Sequence, residues 1–327
     1  MGSRRPVPPE KRGPQAGPVR TDGPDSSLPT LRVAFIGLGA MGLPMARRIR
    51  DRGIQVEGYH PLERRARDLS AAGIPTRTDL RSVVQPATVV ATMLPGPREV
   101  RQVLSGPGGV LSLARSGTVV VDFSTVGPEV AVEHSRDGAL RGIQVLDAPV
   151  SGGVKGAIEG TLVVMVGGAP AALEAARPVL EALARQVEWV GDSGAGQVVK
   201  EANQLVVAGT LSVLAEAIAL LRAGNVDLET GLRLLSAGQA GSTILLRKTP
   251  MFVTGDFSPQ FKLALMAKDL GLVRTSAEAV GLRLPLAEHC ARTFASAAAA
   301  GYRDLDCAAV IKQVPENARW EPGAPGR

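Results

Sequence analysis

The chain is poor in cysteine, histidine and aromatic residues. Its 327 residues include two cysteines, three histidines and 3% aromatic residues. Cys290 and Cys307 stand alone without the spacing of a metal motif, and the histidines form no recognisable ligand set, so we expect no metal site. Sparse cysteine is typical of a reducing compartment, which predicts a cytoplasmic protein. The scarcity of aromatic residues predicts a core built mainly from alanine, valine and leucine.

Long uninterrupted hydrophobic runs and a basic stripe are also missing. Every long apolar stretch is interrupted by charges or glycine, so we expect no membrane span. The formal charge of +6 comes from scattered basic residues, many of them beside acids, and no basic stripe alternates with aromatic residues. We therefore expect no nucleic-acid partner. An excess of positive charge suits an anionic cofactor and a small anionic substrate instead.

The two ends of the chain differ from its middle. Residues 1–30 are rich in proline and lack the hydrophobic segment of a secretory signal, which predicts a disordered leader. Residues 315–327 predict a loose tail. Between these ends, the length of the chain and a hydrophobic content of 45% over the whole sequence predict two packed domains.

Short runs rich in valine and isoleucine alternate with helical segments over residues 31–192. Seven such runs predict β-strands, and the helix-length connections between them predict a parallel sheet covered on both faces. The expected fold of this part is therefore a doubly wound α/β domain of the Rossmann type. The predicted strands cover residues 32–37, 55–59, 88–94, 118–124, 144–150, 162–168 and 187–191.

Strand-like runs stop after Gly196, and the remaining sequence has helical spacing. Residues 197–225 contain no proline. They predict one helix of roughly 40 Å, at about 1.5 Å per residue. We expect an all-helical second domain over residues 193–314, which begins with this long helix between the domains. Further helices are predicted at residues 226–236, 262–281, 285–300 and 304–314.

The segment IGLGAMG at residues 36–42 places three glycines between a predicted strand and a predicted helix. Gly37 permits a tight turn, Gly39 lets the backbone approach a pyrophosphate, and Gly42 allows close packing of helix on sheet. The N–H groups at the start of the helix face the phosphates. This pattern predicts a dinucleotide site, and a glycine-rich turn without a ligand is the alternative.

The end of the second predicted strand decides which dinucleotide is preferred. An acid at this position holds the ribose hydroxyls of NAD, whereas basic groups accept the extra phosphate of NADP. The sequence here is YHPLERR at residues 59–65, with no acid at the tip. We therefore predict NADP, bound through His60 with Arg64 or Arg65, and NAD is the alternative.

Two further segments carry polar groups that suit a small substrate. DFST at residues 122–125 places Ser124 and Thr125 at the carboxyl end of a predicted strand, where ligands of such sheets bind. SGG at residues 151–153 joins a hydroxyl to two unobstructed backbone N–H groups, which suits a carboxylate. Each segment has a structural alternative: a helix cap for the first, and a loop with positive φ for the second.

A third polar cluster lies at the start of the long predicted helix. Lys200 is three residues before Asn203 and four before Gln204, so all three side chains share one face. A lysine among valines at a domain junction is partly desolvated, which lowers its pKa toward that of a usable general acid. A solvated surface lysine is the alternative. AKDLGL at residues 267–272 likewise places charges in an apolar helix.

Taken in this order, the segments resemble the β-hydroxyacid dehydrogenase family. The resemblance covers residues 32–314 and rests on GLGAMGLPMA, DAPVSGGVKGAIEG, GAGQVVKEANQ and AKDLGL. The sequences ANQ and GSTILLRKTPM most resemble those of the tartronate semialdehyde (2-hydroxy-3-oxopropionate) reductase branch. One departure lies at residues 60–62, where Pro61 replaces an arginine that many NADP-using members carry.

The resemblance implies an NAD(P)-dependent oxidoreductase that moves hydride between nicotinamide and a small β-hydroxyacid or semialdehyde. It implies that Lys200 is the general acid or base, that Asn203 is a catalytic residue that orients the substrate, and that Gln204 contacts the substrate. It further implies a homodimer or homotetramer. The implied carboxylate ligands are Ser124, Ser151, Gly152 and Gly153. The implied cofactor contacts are Gly37, Leu38, Gly39, Ala40, Met41, Gly42, His60, Arg64, Arg65, Leu94, Pro95, Thr125 and Lys268.

Two other functions stay open on the sequence. An imine reductase shares this architecture, but those enzymes generally carry Asp or Tyr where this chain has Lys200. A dinucleotide-binding module without catalysis is the second alternative, and the presence of both Lys200 and Asn203 weighs against it. The sequence does not specify the substrate, because the shape of the pocket depends on several loops.

Overall fold

The computed structural model describes residues 31–315. The predicted leader, and the predicted tail apart from Pro315, lie outside these residues. Strands and helices alternate in the first part of the described chain, and helices alone form the second part. The strands are β1 (Arg32–Ile36), β2 (Gln55–Tyr59), β3 (Thr76–Arg77), β4 (Val89–Thr92), β5 (Val119–Asp122), β6 (Gln144–Asp147), β7 (Val150–Ser151), β8 (Leu162–Gly167) and β9 (Ala184–Gly191).

The strands form one mixed sheet in the order β3-β2-β1-β4-β5-β6-β8-β7, with β9 beside β8. Neighbours from β3 to β6 are parallel, which confirms the prediction of a doubly wound parallel sheet for this part. Strand β8 runs antiparallel to both β6 and β7. Only ten residues separate β7 from β8, which is shorter than the dozen or so that a parallel crossover needs.

Two details of the sheet differ from the sequence prediction. Residues 144–150 were expected to form one strand, but β6 ends at Asp147 and β7 begins at Val150. Pro149 lies in the gap, and proline cannot donate a hydrogen bond to a sheet ladder. Strand β3 was not predicted, because two residues are too few to show a periodic pattern.

Eight helices of the first part pack on the sheet and cover both of its faces. Alternate residues of β1 belong to different apolar clusters: Val33 and Phe35 to one, and Ala34 and Ile36 to the other. Both faces of the sheet are therefore buried, as the continuous apolar runs predict. These helices are α1 (Gly42–Asp51), α2 (Glu63–Ala71), α3 (Leu80–Val84), α4 (Pro97–Leu104), α5 (Val110–Leu113), α6 (Pro128–Ala139), α7 (Gly153–Glu159) and α8 (Pro170–Leu183).

The second part is helical, as predicted, but its helices differ in detail. A helix that was not predicted, α11, is capped by Ser242, whose side chain accepts a hydrogen bond from the N–H of Leu245. The sequence did not predict this helix because it contains Pro250, and proline usually interrupts a helix. The predicted helix at residues 304–314 is wrong in type, since Cys307–Gln313 is a 3₁₀ helix. The α-helices are α9 (Ala195–Ala223), α10 (Leu228–Ala237), α11 (Thr243–Thr254), α12 (Leu263–Ala279) and α13 (Pro285–Ala297).

Helix α9 is the centre of the second part. It buries Ala208, Leu211 and Ile218 in an apolar cluster that also includes residues of the other helices. One stretch of α9 has a mean hydropathy of 1.9 and is long enough to cross a membrane by length and composition alone. The expectation that no apolar stretch is long enough to span a membrane is therefore wrong, and the expectation of no membrane partner stays a prediction. The core helix of a globular domain passes the same test, because it is apolar for packing reasons.

Candidate active site

The glycine cluster lies where β1 ends and α1 begins. Gly37 has a φ of +94°, and a side chain there would collide with the carbonyl of Met93. A side chain at Gly42 would collide with the carbonyl of Gly37, so the helix packs closely on this turn. Gly39 instead faces open space. Helix α1 has no side-chain cap and no acid in its first turn, so its N–H groups suit a pyrophosphate.

The tip of β2 is followed by two arginines, Arg64 and Arg65, and one acid, Glu63, which are all exposed on the first turn of α2. His60 Nδ1 accepts a hydrogen bond of 3.1 Å from the N–H of Leu62. The nearest acid along β2, Glu57, pairs with Arg77 of β3. The predicted NADP contacts His60, Arg64 and Arg65 therefore lie within six residues of one another, between the end of β2 and the first turn of α2.

The ends of β4 and β5 are joined by a buried hydrogen-bond network. Asp122 accepts hydrogen bonds from Thr92 Oγ1 at 2.8 Å and from the N–H of Ser124 at 3.0 Å. Ser124 Oγ accepts a hydrogen bond of 2.9 Å from the N–H of Leu94. Ser124 is completely buried, so its hydroxyl supports the loops after both strands and is not open to a carboxylate. Pro95, the other predicted contact on the first loop, is exposed.

Lys200 lies in the second turn of α9 and is only 7% exposed. Its Nζ donates a hydrogen bond of 2.8 Å to the carbonyl of Val150, directly before the SGG segment. Burial lowers the pKa of Lys200 to about 8, although the nearby Asp269 favours the charged form. The expectation of a desolvated lysine with a lowered pKa is confirmed. Such a group exchanges protons readily near neutral pH.

A chain of hydrogen bonds connects α9, α12 and the loop after β5. Asn203 Nδ2 donates to Gln204 Oε1 at 2.9 Å, and Gln204 Nε2 donates to Asp269 Oδ2 at 2.7 Å. Lys268 Nζ lies 2.9 Å from Asp269 Oδ1 and donates to the carbonyl of Thr125 at 2.7 Å. Four residues predicted from three separate segments are therefore connected through Asp269, which was not predicted as a site residue.

Two more buried residues hold the start of α9 against the sheet, and sequence reasoning missed both. Asp147 accepts hydrogen bonds from the N–H groups of Gly194 and Gln197 at 2.8 and 3.0 Å. The side chain of Gln197 accepts from the N–H of Val126 at 2.9 Å and donates to the carbonyl of Ser124 at 3.0 Å. Both lie inside motifs quoted above, but their partners are 47 to 73 residues away. Burial raises the pKa of Asp147 to about 6.

The SGG segment has the backbone shape that its glycines allow. Gly152 and Gly153 have φ angles of +136° and +65°, which side chains disfavour. Gly153 faces open space, and Ser151 is half-buried at the end of β7. The segment therefore lies beside Lys200, and no atom of the described residues lies within 4 Å of the place that a side chain at Gly153 would take. Within residues 31–315, no group of three or more His, Cys, Asp or Glu residues is placed to hold a metal ion.

Two family profiles match the chain. The profile described as "NAD binding domain of 6-phosphogluconate dehydrogenase" matches residues 32–191. The profile described as "NAD-binding of NADP-dependent 3-hydroxyisobutyrate dehydrogenase" matches residues 194–314. Together they cover the sheet part and the helical part.

Similar proteins match along nearly their whole length. The chain is 36% identical over 284 residues to 2-(hydroxymethyl)glutarate dehydrogenase of Eubacterium barkeri, covering 86% of this chain and 94% of that protein. It is 35% identical over 284 residues to 2-hydroxy-3-oxopropionate reductase of Escherichia coli (strain K12), covering 86% and 96%. The solved structure of Mycobacterium tuberculosis 3-hydroxyisobutyrate dehydrogenase with L-serine is 36% identical in sequence and superposes with a TM-score of 0.79, covering 87% of this chain and 99% of that chain.

Proposed function

The chain belongs to the β-hydroxyacid dehydrogenase family and is an NAD(P)-dependent 3-hydroxyacid dehydrogenase, and we propose that Lys200 is its general acid and base. When bound, the nicotinamide supplies or accepts the hydride at its C4. The observation that carries the proposal is the burial of Lys200 beside the SGG segment with a pKa of about 8. Both protonation states of Lys200 are then accessible near neutral pH.

Lys200 donates or accepts the proton that accompanies hydride transfer. In reduction, the carbonyl carbon of the substrate gains the hydride, and Lys200 Nζ gives a proton to the carbonyl oxygen. In oxidation, the neutral amine takes the hydroxyl proton as the hydride leaves the same carbon. The hydrogen bond to the carbonyl of Val150 orients Nζ, and the low exposure of Lys200 strengthens electrostatic stabilisation of the developing alkoxide.

The substrate is a small β-hydroxyacid or the matching semialdehyde. The Ser151 hydroxyl and the N–H groups of Gly152 and Gly153 bind its carboxylate, which the open space at Gly153 supports. Asn203 and Gln204 contact the substrate from the face of α9 that carries Lys200. Ser124 supports this site from behind, because its hydroxyl is buried.

A substrate panel tests this function. Turnover is measured with tartronate semialdehyde, methylmalonate semialdehyde, succinic semialdehyde, glyoxylate and a cyclic imine, each at saturating NADPH and NADH. We expect kcat/KM to be highest for one of the 3-oxo acids. Reduction of the imine alone would favour an imine reductase. NADPH binding without turnover of any compound would favour a non-catalytic binding module.

The preferred cofactor is NADP. Support comes from the exposed Arg64 and Arg65, from His60, and from the pairing of Glu57, the acid within β2, with Arg77. The guanidinium groups bind the extra phosphate of NADP, as basic groups do in this fold. In the panel, a higher kcat/KM with NADH than with NADPH would contradict this preference.

The boundary between the two domains lies at residues 192 and 193. Strand β9 ends at Gly191 and α9 begins at Ala195, so the boundary falls in the short connection between them.

The protein works in the cytoplasm. Support comes from Cys290 and Cys307, which are both buried free thiols, since unpaired thiols persist in reducing compartments.

The enzyme is a homodimer or homotetramer that buries one face of α9. Val206, Val213 and Leu220 follow one another at seven-residue spacing on this helix and are 69%, 68% and 75% exposed. An apolar stripe with this period is typical of a helix packed against another helix. Val213→Asp is expected to shift the molar mass from light scattering toward that of the monomer. Leu140→Asp, an equally exposed site in the first domain, serves as the control and should leave the mass unchanged.

A further inference from the structure

Arg247 reaches from the helical part to the SGG segment. Its Nη1 donates a hydrogen bond of 3.1 Å to the carbonyl of Gly152, which lies 95 residues earlier in the chain. The next residue on α11, Lys248, points into the helical core and pairs with the buried Asp306 at 2.7 Å. Adjacent residues of a helix differ by about 100° in direction. The anchoring of Lys248 therefore holds Arg247 on the outer side of α11, at the rim of the site.

The charge of Arg247 has no carboxylate partner among the described residues. Arg101 and Arg177, in contrast, pair with Glu133 and Glu174. A guanidinium has five N–H donors, and Arg247 is seen to use one of them, on a neutral carbonyl. The side chain is exposed. An anion that approaches the SGG segment therefore meets a cation with unused donors.

The peptide between Gly152 and Gly153 separates Arg247 from the proposed carboxylate site. In a trans peptide, the carbonyl and the N–H point in opposite directions. Arg247 binds the carbonyl side of this peptide, so a carboxylate on the N–H of Gly153 lies on the other side. Bond lengths and ordinary hydrogen-bond lengths put the guanidinium and that carboxylate oxygen roughly 8 Å apart. One carboxylate cannot occupy both places.

We propose that Arg247 binds a second anionic group of the substrate, so that the preferred substrate carries a carboxylate at each end. This inference rests on the proposed function, because the SGG segment takes the first carboxylate and Lys200 faces the reacting carbon. A chain of two or three carbons between the carboxylates spans the separation. Arg247 forms charge-assisted, fork-shaped hydrogen bonds to the distal group, a geometry that lysine does not reproduce.

The test compares three hydroxymethyl acids in the oxidation direction with NADP. The first carries a second carboxylate two methylene groups from the branch point, the second carries a primary amide in place of that carboxylate, and the third carries only a methyl group there. Each is assayed with wild type, Arg247→Gln, Arg247→Lys and the control Arg292→Gln. Arg292 is an exposed arginine of α13, outside the site.

We expect Arg247→Gln to raise KM for the diacid by about ten-fold or more, the effect of losing one charge-assisted pair. The kcat for the diacid, and KM for the amide and the methyl compound, stay near their wild-type values. Arg247→Lys loses part of the affinity, and Arg292→Gln loses none. An equal rise of KM for all three compounds would overturn the proposal, because Arg247 would then act only as a latch on the SGG segment.

A binding measurement separates this inference from the proposed function. Glutarate is a diacid without a hydroxyl group to oxidise, and its affinity for the enzyme with NADP is measured by calorimetry. If no hydroxyacid is turned over but glutarate binds about ten-fold more weakly to Arg247→Gln, the proposed function fails and the diacid site stands. If glutarate binds both proteins equally, the diacid site fails, whatever the turnover shows.

Discussion

Lys200→Met is expected to lower kcat by about 100- to 10,000-fold, the range typical of losing a general acid or base. Methionine has a similar length but no proton to exchange, so the carbonyl oxygen of the substrate loses its proton source as the carbon accepts the hydride. The affinity for NADPH stays unchanged, because the glycine turn at Gly37 and Gly42 is built by β1 and α1 without Lys200. Steady-state kinetics gives kcat, and the fluorescence of bound NADPH gives the affinity.

The pH profile identifies Lys200 as the group that titrates. Burial lowers its pKa from 10.5 to about 8. Reduction needs the ammonium, so its kcat/KM falls as pH rises through about 8. Oxidation needs the neutral amine, so its kcat/KM rises through the same range. Both inflections disappear in Lys200→Met.

The exposed Lys155 offers a matched control for this variant. It forms a surface ion pair with Glu159 on α7. Lys155→Met removes one positive charge without touching the junction, so it should keep both the wild-type kcat and the inflection. Turnover in Lys200→Met equal to that in Lys155→Met would remove Lys200 from the mechanism.

Asp306→Leu is expected to lower the free energy of unfolding by about 3–5 kcal/mol, the usual cost of breaking a buried ion pair from one side. Asp306 is fully buried and lies 2.7 Å from Lys248 Nζ. It also accepts hydrogen bonds from the N–H groups of Gln260, Phe261 and Ala308. Leucine leaves a buried ammonium without a carboxylate and three N–H groups without their acceptor. Urea unfolding followed by circular dichroism measures the loss.

Lys248→Met is expected to cost less, about 1–3 kcal/mol, because the Asp306 carboxylate keeps its three N–H donors. The exposed pair of Lys262 and Asp304 provides the control. Lys262→Met should change the free energy of unfolding by less than about 1 kcal/mol, since surface pairs contribute little. If Asp306→Leu cost no more than Lys262→Met, the buried pair would not stabilise the helical part.

Much of the fold was predictable because its signals are local. The alternation of apolar runs with helical segments predicted the doubly wound sheet, and residues 197–225 predicted the long helix within two residues at each end. The reversal at β8 and the short strand β3 were not predicted. The reversal at β8 follows from the short connection that precedes it, and β3 has only two residues. Hydrophobic periodicity needs several residues to be recognised, so it predicts neither feature.

The candidate site was predictable only in part. The role of the glycines in IGLGAMG was predictable from the sequence. A tight turn followed by a closely packed helix leaves few other residues possible at Gly37 and Gly42. Asp147, Gln197 and Asp269 did not stand out, although all are buried in the site. A single polar residue inside a motif forms no repeating spacing pattern, so its hydrogen-bond partners could not be inferred from the sequence.

The order of the elements, the glycine turn and the shared face of Lys200, Asn203 and Gln204 follow from the amino-acid sequence alone, because each arises from residues within a few positions of one another. The lowered pKa of Lys200, the burial of Ser124 and the contact of Arg247 with Gly152 arise only in the folded chain. They depend on burial and on hydrogen bonds between segments 50 or more residues apart. Such contacts form only when packing brings those segments together, and the chemistry of this site rests on them.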